Sequence, residues 1–143
     1  MIILDTTVLV YAKGAEHEMR DPCRSLITAV ASGDLQATTT VEVIQEFVQV
    51  RARRRGRADA AALGRDYAEL FAPLISVSQE DLRTGLSLFE SARTLGPFDA
   101  VLAAAAMARN ATSLVSADRA FSRVRGLRHV VPDEAGLHHL LSG

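Results

Sequence analysis

Four acidic residues of this chain stand where a metal site for phosphodiester chemistry could form. The first, Asp5, directly follows a short apolar stretch at residues 2–4, which is typical of a strand buried on both faces. An ionised carboxylate at the end of such a strand must reach water, a cation or hydrogen-bond donors. Asp5 is therefore a candidate ligand, although the same residue would also suit the N-cap of a following helix.

The other three acids are expected at the same edge of a parallel sheet. Asp118 follows the fourth predicted strand, Asp99 opens the helix before that strand, and Glu46 lies about two turns into the helix after the second strand. Because the carboxyl ends of parallel strands share one edge, we expect these side chains to converge with Asp5. Helix capping is the competing interpretation for Asp99 and Asp118. Glu42 is a weaker candidate than Glu46, because it lies in the middle of the polar arc of its helix, where its side chain would be solvated.

Converging carboxylates repel one another, and a divalent cation removes that conflict. Without a cation, at least one carboxylate would take up a proton. Oxygen ligands without a cluster of His or Cys favour Mg²⁺, with Mn²⁺ as an alternative, over zinc. Such a site lowers the pKa of bound water and stabilises charge on a phosphate, which is the chemistry of phosphodiester hydrolysis.

The elements that must position these acids alternate between short apolar strands and longer helices, which predicts an α/β fold. Strands are predicted at residues 2–5, 35–39, 74–77, 113–115 and 129–131. Helices are predicted at residues 7–12, 21–31, 41–55, 58–72, 78–95, 99–109 and 132–141. The alternation favours a central parallel sheet of about five short strands, flanked by helices on both faces. Without an internal linker or repeat, residues 1–143 are expected to form one domain.

Composition fits a globular protein without a membrane anchor. The chain is 48% hydrophobic and 23% charged, and no apolar run approaches the roughly 20 residues that span a bilayer. The start of the chain lacks the features of a signal peptide, so a cytoplasmic location is expected. The net charge of −1 means that any nucleic-acid contact must come from a local patch.

One local patch is a run of five arginines downstream of Glu46: Arg51, Arg53, Arg54, Arg55 and Arg57. The run is compatible with a solvated helix end that is favoured by the helix dipole. It is equally compatible with a rim that contacts RNA phosphates and offsets the repulsion from an acidic pocket. A contact for an acidic part of a protein partner is a third interpretation.

Four segments of the chain resemble the PIN-domain proteins, and specifically the VapC ribonuclease toxins of bacterial toxin–antitoxin pairs. These segments are residues 3–9, 40–47, 98–105 and 114–121, in family order and at family-like spacing. The resemblance implies a Mg²⁺-dependent endoribonuclease that acts on RNA and is a homodimer. It also implies a cognate antitoxin protein, which in this family often pushes a basic or bulky side chain toward the acidic pocket.

The resemblance also assigns roles to individual residues. It matches the family's acidic quartet to Asp5, Glu46, Asp99 and Asp118, with Asp5 and Asp99 as the most direct metal ligands. It makes Thr6 and Ser116 supporting residues of the site. Thr7 is a departure, because the family usually has Asn at that position. We expect altered hydrogen bonding around the site, with the metal site retained.

Three alternatives stand beside this interpretation. A haloacid-dehalogenase-like phosphatase also carries a strand-terminal Asp, as its nucleophile, but needs a later lysine to hold the phosphoryl group. The only lysine here, Lys13, is too near Asp5 in sequence for that role. A housekeeping PIN-domain nuclease without an antitoxin and a non-catalytic PIN-like binding module are the other two.

Overall fold

A four-stranded parallel sheet forms the centre of the protein in a computed structural model that describes all 143 residues. Its strands are β1 (Ile2–Leu4), β2 (Ala37–Thr38), β3 (Ser113–Val115) and β4 (His129–Val130). They lie in the order β2-β1-β3-β4, and every neighbouring pair is parallel. All residues of β1 and β3 are buried, so both faces of the sheet are covered. The predicted α/β class and parallel sheet are confirmed.

Seven α-helices and one 3₁₀ helix surround the sheet. The α-helices are α1 (Thr6–Ala12), α2 (Arg20–Ser32), α3 (Val41–Arg55), α4 (Arg57–Leu70), α5 (Gln79–Ser91), α6 (Pro97–Ala108) and α7 (Glu134–Ser142). The 3₁₀ helix spans Arg119–Arg123. The bounds of α3 agree with those predicted, because Thr40 caps its start and Gly56 ends it. None of the helices is both long and apolar enough to cross a bilayer.

The prediction of a strand at residues 74–77 is wrong, so the sheet has four strands and not five. This segment makes a single parallel bridge, between Ile75 and Thr40, and the Ile75 amide donates to the Thr39 carbonyl at 2.9 Å. The next carbonyl, that of Ser76, accepts a hydrogen bond from the Arg109 guanidinium at 3.0 Å. The pairing ends after this one bridge, because Thr40 is the N-cap of α3 and the partner segment turns into that helix at Val41.

Close contact between helices holds the elements that carry the acids. A Cβ atom at Gly85 of α5 would lie 2.7 Å from the backbone of Val101, so only glycine permits this approach of α5 to α6. Gly64 allows the same kind of approach of α4 to Val48 on α3. Since Glu46 is on α3 and Asp99 is on α6, these two helix pairs set where both carboxylates lie.

Candidate active site

The site begins at the carboxyl edge of the sheet, where β1 and β3 end side by side. Leu4 pairs with Val115, and the amide of Asp5 donates to the Val115 carbonyl at 2.9 Å. Asp5 and Ser116 are the residues that follow these two strands. The parallel register alone thus places them next to each other, although they are far apart in sequence.

A cavity of about 520 Å³ at this edge is lined by all four predicted acids: Asp5, Glu46, Asp99 and Asp118. A neighbouring cavity of about 520 Å³ shares three of these acids and is otherwise largely apolar. Glu42 lines only the second cavity. The four acids thus line one cavity of the structure, and Glu46 is better placed than Glu42 to share it.

Asp5 is held through only one of its carboxylate oxygens. Ser116 Oγ donates to Asp5 Oδ2 at 2.6 Å, and Thr7 Oγ1 donates to the same oxygen at 3.1 Å. Asp5 occupies the N-cap position of α1, yet its side chain makes no capping hydrogen bond. The capping interpretation of Asp5 is therefore wrong. Its carboxylate, in a residue that is 4% exposed, keeps Oδ1 without a hydrogen bond from the protein.

The Thr7 hydroxyl bridges Asp5 and the loop after β3, a role that the sequence does not predict. Its hydroxyl accepts a hydrogen bond from the Ala117 amide at 2.9 Å and lies 3.3 Å from Ser116 Oγ. Together with its bond to Asp5, this links the loop after β3 to the start of α1. The hydroxyl, which replaces the amide usual in the family, thus forms a compact network around the carboxylate.

The remaining three acids differ in how much the protein restrains them. Thr6 Oγ1 donates to Glu46 Oε2 at 3.0 Å. Asp118 caps the 3₁₀ helix, because its Oδ1 accepts from the Ala120 amide at 2.9 Å, so its capping interpretation is correct. For Asp99 that interpretation is wrong: α6 begins at Pro97, which puts Asp99 within the first turn. Proline suits the first helical position, so the helix starts earlier than predicted.

The pKa of Asp99 is clearly shifted by its surroundings in the cavity. Burial, as the largest cause, and the charges of Asp5, Asp118 and Glu46 together raise its pKa from 3.8 to about 7. Both causes penalise the ionised form. Asp99 is therefore half protonated near neutral pH, which is the behaviour expected of carboxylates that converge without a cation.

The donor set suits a hard divalent cation, although the oxygens are not gathered into a complete coordination shell. Each of the four carboxylates keeps at least one oxygen that accepts no hydrogen bond from the protein. No group of three or more His, Cys, Asp or Glu side chains is placed closely enough to hold an ion as it stands. Glu46 and Asp118 are exposed, and a hydrogen bond from the protein holds only one oxygen of each, which leaves the other oxygen available to an ion beside Asp5 and Asp99.

We expect the raised pKa of Asp99 to be measurable in the metal-free protein. Between pH 3.8 and about 7 the folded protein binds more protons at this group than the unfolded chain, so this contribution to stability falls as the pH rises through that window. NMR titration should place the Asp99 midpoint near pH 7, and Asp5→Asn should lower it by removing a neighbouring charge. A midpoint near 4 in the wild-type protein would contradict the convergence of charges.

The five arginines of the run have different surroundings in the structure. Arg51 is tied down: its Nε lies 2.6 Å from Asp59, and a terminal nitrogen donates to the Lys13 carbonyl at 2.9 Å. Arg54 lines the cavity of the four acids and makes no ion pair. Arg53, Arg55 and Arg57 are exposed and line neither cavity. The run therefore does not form one uniform rim at the site.

Lys13 lines neither cavity of the acidic cluster. No lysine is therefore placed to hold a phosphoryl group beside Asp5, as the haloacid-dehalogenase-like alternative would require. That alternative loses its main structural support.

The PIN domain family matches residues 2–127 of the chain. Ribonuclease VapC7 of Mycobacterium tuberculosis is 56% identical over 145 residues, which cover 99% of this chain and 98% of that protein. Ribonuclease VapC43 of the same species is 31% identical over 96% of this chain and 99% of that protein.

A solved structure is also similar in fold. It is the crystal structure of VapBC2 from Rickettsia felis bound to a DNA fragment from their promoter. The match has a TM-score of 0.69 at 20% identity and covers 92% of this chain and 98% of that chain. At that identity the likeness concerns the fold, and it agrees with the parallel sheet described above.

Proposed function

This chain belongs to the PIN-domain family, among the VapC ribonucleases, and on that basis we propose that it is a metal-dependent endoribonuclease and the toxin of a toxin–antitoxin pair. The proposal covers residues 1–143 as one PIN domain that acts in the cytoplasm on RNA. One observation carries it: Asp5, Glu46, Asp99 and Asp118 line one cavity, in which burial and the three neighbouring charges raise the pKa of Asp99 to about 7. Such a concentration of negative charge in one cavity is unfavourable unless a cation binds there.

Asp5 and Asp99 are the residues we assign to hold Mg²⁺ or Mn²⁺. The free Oδ1 of Asp5 and the unpaired carboxylate of Asp99 supply hard oxygen ligands of the kind these ions prefer. A bound divalent ion would lower the pKa of water and stabilise the negative charge of a phosphate under attack. Binding requires an ionised Asp99, so affinity for the ion should rise as the pH passes 7.

The remaining residues of the site are assigned by their contacts. Ser116 and Thr7 orient the Asp5 carboxylate, and Thr6 orients that of Glu46. Glu46 keeps Oε1 free, and we assign that oxygen to orient the attacking water and accept its proton. Asp118 is held by its cap to the 3₁₀ helix and presents its second oxygen to the same cavity.

Cleavage of RNA by the purified protein tests this function. We expect total bacterial RNA to be cut in the presence of Mg²⁺ or Mn²⁺, and cutting to stop when a chelator removes the ion. Readdition of the ion should restore activity, since chelation does not damage the protein. Cleavage that continues unchanged in excess chelator would exclude the metal-dependent mechanism.

The antitoxin is the partner we propose for this chain, because silencing partners accompany toxins of this kind. An arginine from such a partner would compete with a cation for the carboxylate cluster. Expression of the chain alone should arrest bacterial growth, and expression together with the product of a small neighbouring open reading frame should relieve the arrest. Growth that is unaffected by the active chain would favour a housekeeping PIN-domain nuclease.

A homodimer is the second proposed assembly, supported by an apolar stripe on α5. Leu82, Leu86 and Phe89 recur at positions i, i+4 and i+7, and they are 45%, 44% and 44% exposed. Phe98 at the start of α6 is 77% exposed and lines the same apolar cavity as Leu82 and Leu86. One stripe on one helix can pair with its own copy across a twofold axis, which buries the same patch twice.

Introducing a charge into this stripe should give a monomer. We expect Leu86→Glu to halve the mass measured by light scattering, because a desolvated carboxylate would oppose the contact. The control is Thr84→Glu, an exposed position of α5 outside the stripe, which should keep the wild-type mass. If both variants keep the mass of the wild-type dimer, the stripe is not the dimer interface.

A further inference from the structure

We propose that Tyr11, His17 and Arg54 form a nucleotide-binding arm of the acidic cavity, which holds the RNA nucleotide next to the phosphate that is cut. These three residues line the same cavity of about 520 Å³ as the four carboxylates. The inference rests on the proposed ribonuclease function and adds to it the residues that position the substrate. None of the three has a place in the acidic quartet.

The first part of the arm is an aromatic pair. The rings of Tyr11 and His17 stack, with centroids 4.5 Å apart and an angle of 28° between their planes. Tyr11 is half-buried on α1, whereas His17 is exposed in the segment between α1 and α2. The Met19 amide donates to Nδ1 of His17 at 3.1 Å, which fixes the ring. Tyr11 thus backs an exposed ring whose Nε2 remains without a partner in the protein.

The second part of the arm is the guanidinium of Arg54. A Cβ atom at Gly14 would lie 3.9 Å from one of its terminal nitrogens, so the side chain reaches across to the segment after α1. Arg54 makes no ion pair, unlike Arg51 on the same helix, which Asp59 holds. Neither of the two cavities that contain Asp5 is lined by any other Arg or Lys.

These groups match the chemistry of single-stranded RNA. Unpaired bases stack on aromatic rings of His or Tyr, and a guanidinium binds phosphate oxygens through paired hydrogen bonds. The volume of the cavity is in the range of small-molecule sites. Five carboxylates, including Glu16, line this cavity. The phosphate backbone of RNA is therefore placed most favourably beside Arg54, whose positive charge offsets part of the repulsion from these carboxylates.

The test measures steady-state cleavage of one fluorescent single-stranded RNA by His17→Ala, His17→Phe and Arg54→Ala. Loss of one stacked base should raise KM about tenfold in His17→Ala, with kcat changed less than KM, and His17→Phe should restore most of the loss. Arg54→Ala should raise KM similarly and reduce the slope of log KM against log salt by about 0.7, as expected for one phosphate contact to a single strand. His17→Ala should keep the wild-type slope.

Arg65→Ala is the matched charge control, because Arg65 is exposed on α4 and lines neither cavity of the cluster. It should keep the wild-type KM.

If the wild-type protein cuts RNA but His17→Ala and Arg54→Ala both retain its KM, the nucleotide-binding arm is refuted while the ribonuclease function stands. The arm is equally refuted if these variants lose affinity for a protein partner and not for RNA. If the wild-type protein cuts no RNA with Mg²⁺ or Mn²⁺, the proposed function itself fails.

Discussion

Replacing Asp5 by Asn should lower the rate of RNA cleavage by about a thousandfold or more. The substitution keeps the size of the side chain but removes the charge of the one carboxylate that is both buried and oriented by two hydroxyls. Charge stabilisation by a bound ion is worth several kcal/mol in the transition state, and each 1.36 kcal/mol changes the rate tenfold. Single-turnover cleavage at saturating Mg²⁺ measures the loss.

The folded state of the Asp5→Asn variant should be at least as stable as that of the wild-type protein. Removing one of four mutually repelling charges relieves the repulsion that raises the pKa of Asp99. Asp66→Asn is a suitable control, since Asp66 is exposed on α4 and lines neither cavity of the cluster. An Asp5→Asn protein that folds normally and cuts RNA at the wild-type rate would remove Asp5 from the mechanism.

The largest expected effect on stability comes from Arg109, outside the site. Its guanidinium contacts both oxygens of Asp81, at 3.0 and 3.2 Å, and Asp81 is only 4% exposed. Burial opposes the ionisation of Asp81, but hydrogen bonds from Arg109 and Ser78 outweigh it and lower the pKa of this carboxyl. Arg109→Met would leave a buried carboxylate without its cation, at a cost of roughly 3 kcal/mol, or a fall in Tm of about 10 °C.

The pH dependence of the stability lost in Arg109→Met distinguishes a broken ion pair from a packing defect. Because the pKa of Asp81 is lowered in the folded state, its stabilising contribution is present above pH 3.8 and is lost as the pH falls through the folded value. The difference in unfolding free energy between wild type and Arg109→Met should therefore shrink in acid. Arg93→Met, at an exposed position, serves as the control. A penalty that is the same at pH 3 and pH 7 would exclude the ion pair as its cause.

Strands and helices could be predicted from the sequence where residues within the element or at its ends determine it. The apolar run of β1 and the residues that bound α3 are sufficient to identify these elements. The segment at residues 74–77 looks equally apolar, yet it makes only one bridge, because the partner segment turns into α3 directly after Thr40. Whether a partner segment continues alongside a strand depends on a distant part of the chain, which a local pattern does not contain.

The acids of the site were predictable because a parallel sheet brings the ends of its strands together, and that rule needs only the order of the elements. The role of Thr7 and the difference between Arg51 and Arg54 were not predictable in this way. Successive residues of a helix point in different directions, so a run of arginines reveals nothing about which one meets Asp59 and which one lines the cavity. The stacking of Tyr11 on His17 likewise depends on the path of the segment between α1 and α2.

We propose that four acids from distant parts of the chain bind a divalent cation in one cavity. Anomalous diffraction from crystals grown with Mn²⁺ above pH 7, where Asp99 is ionised, tests it most directly. We predict a peak bounded by the carboxylates of Asp5 and Asp99, and its loss in crystals of Asp5→Asn under the same conditions. An absent peak, or a peak away from these two residues, would show that Asp5 and Asp99 do not form the metal site.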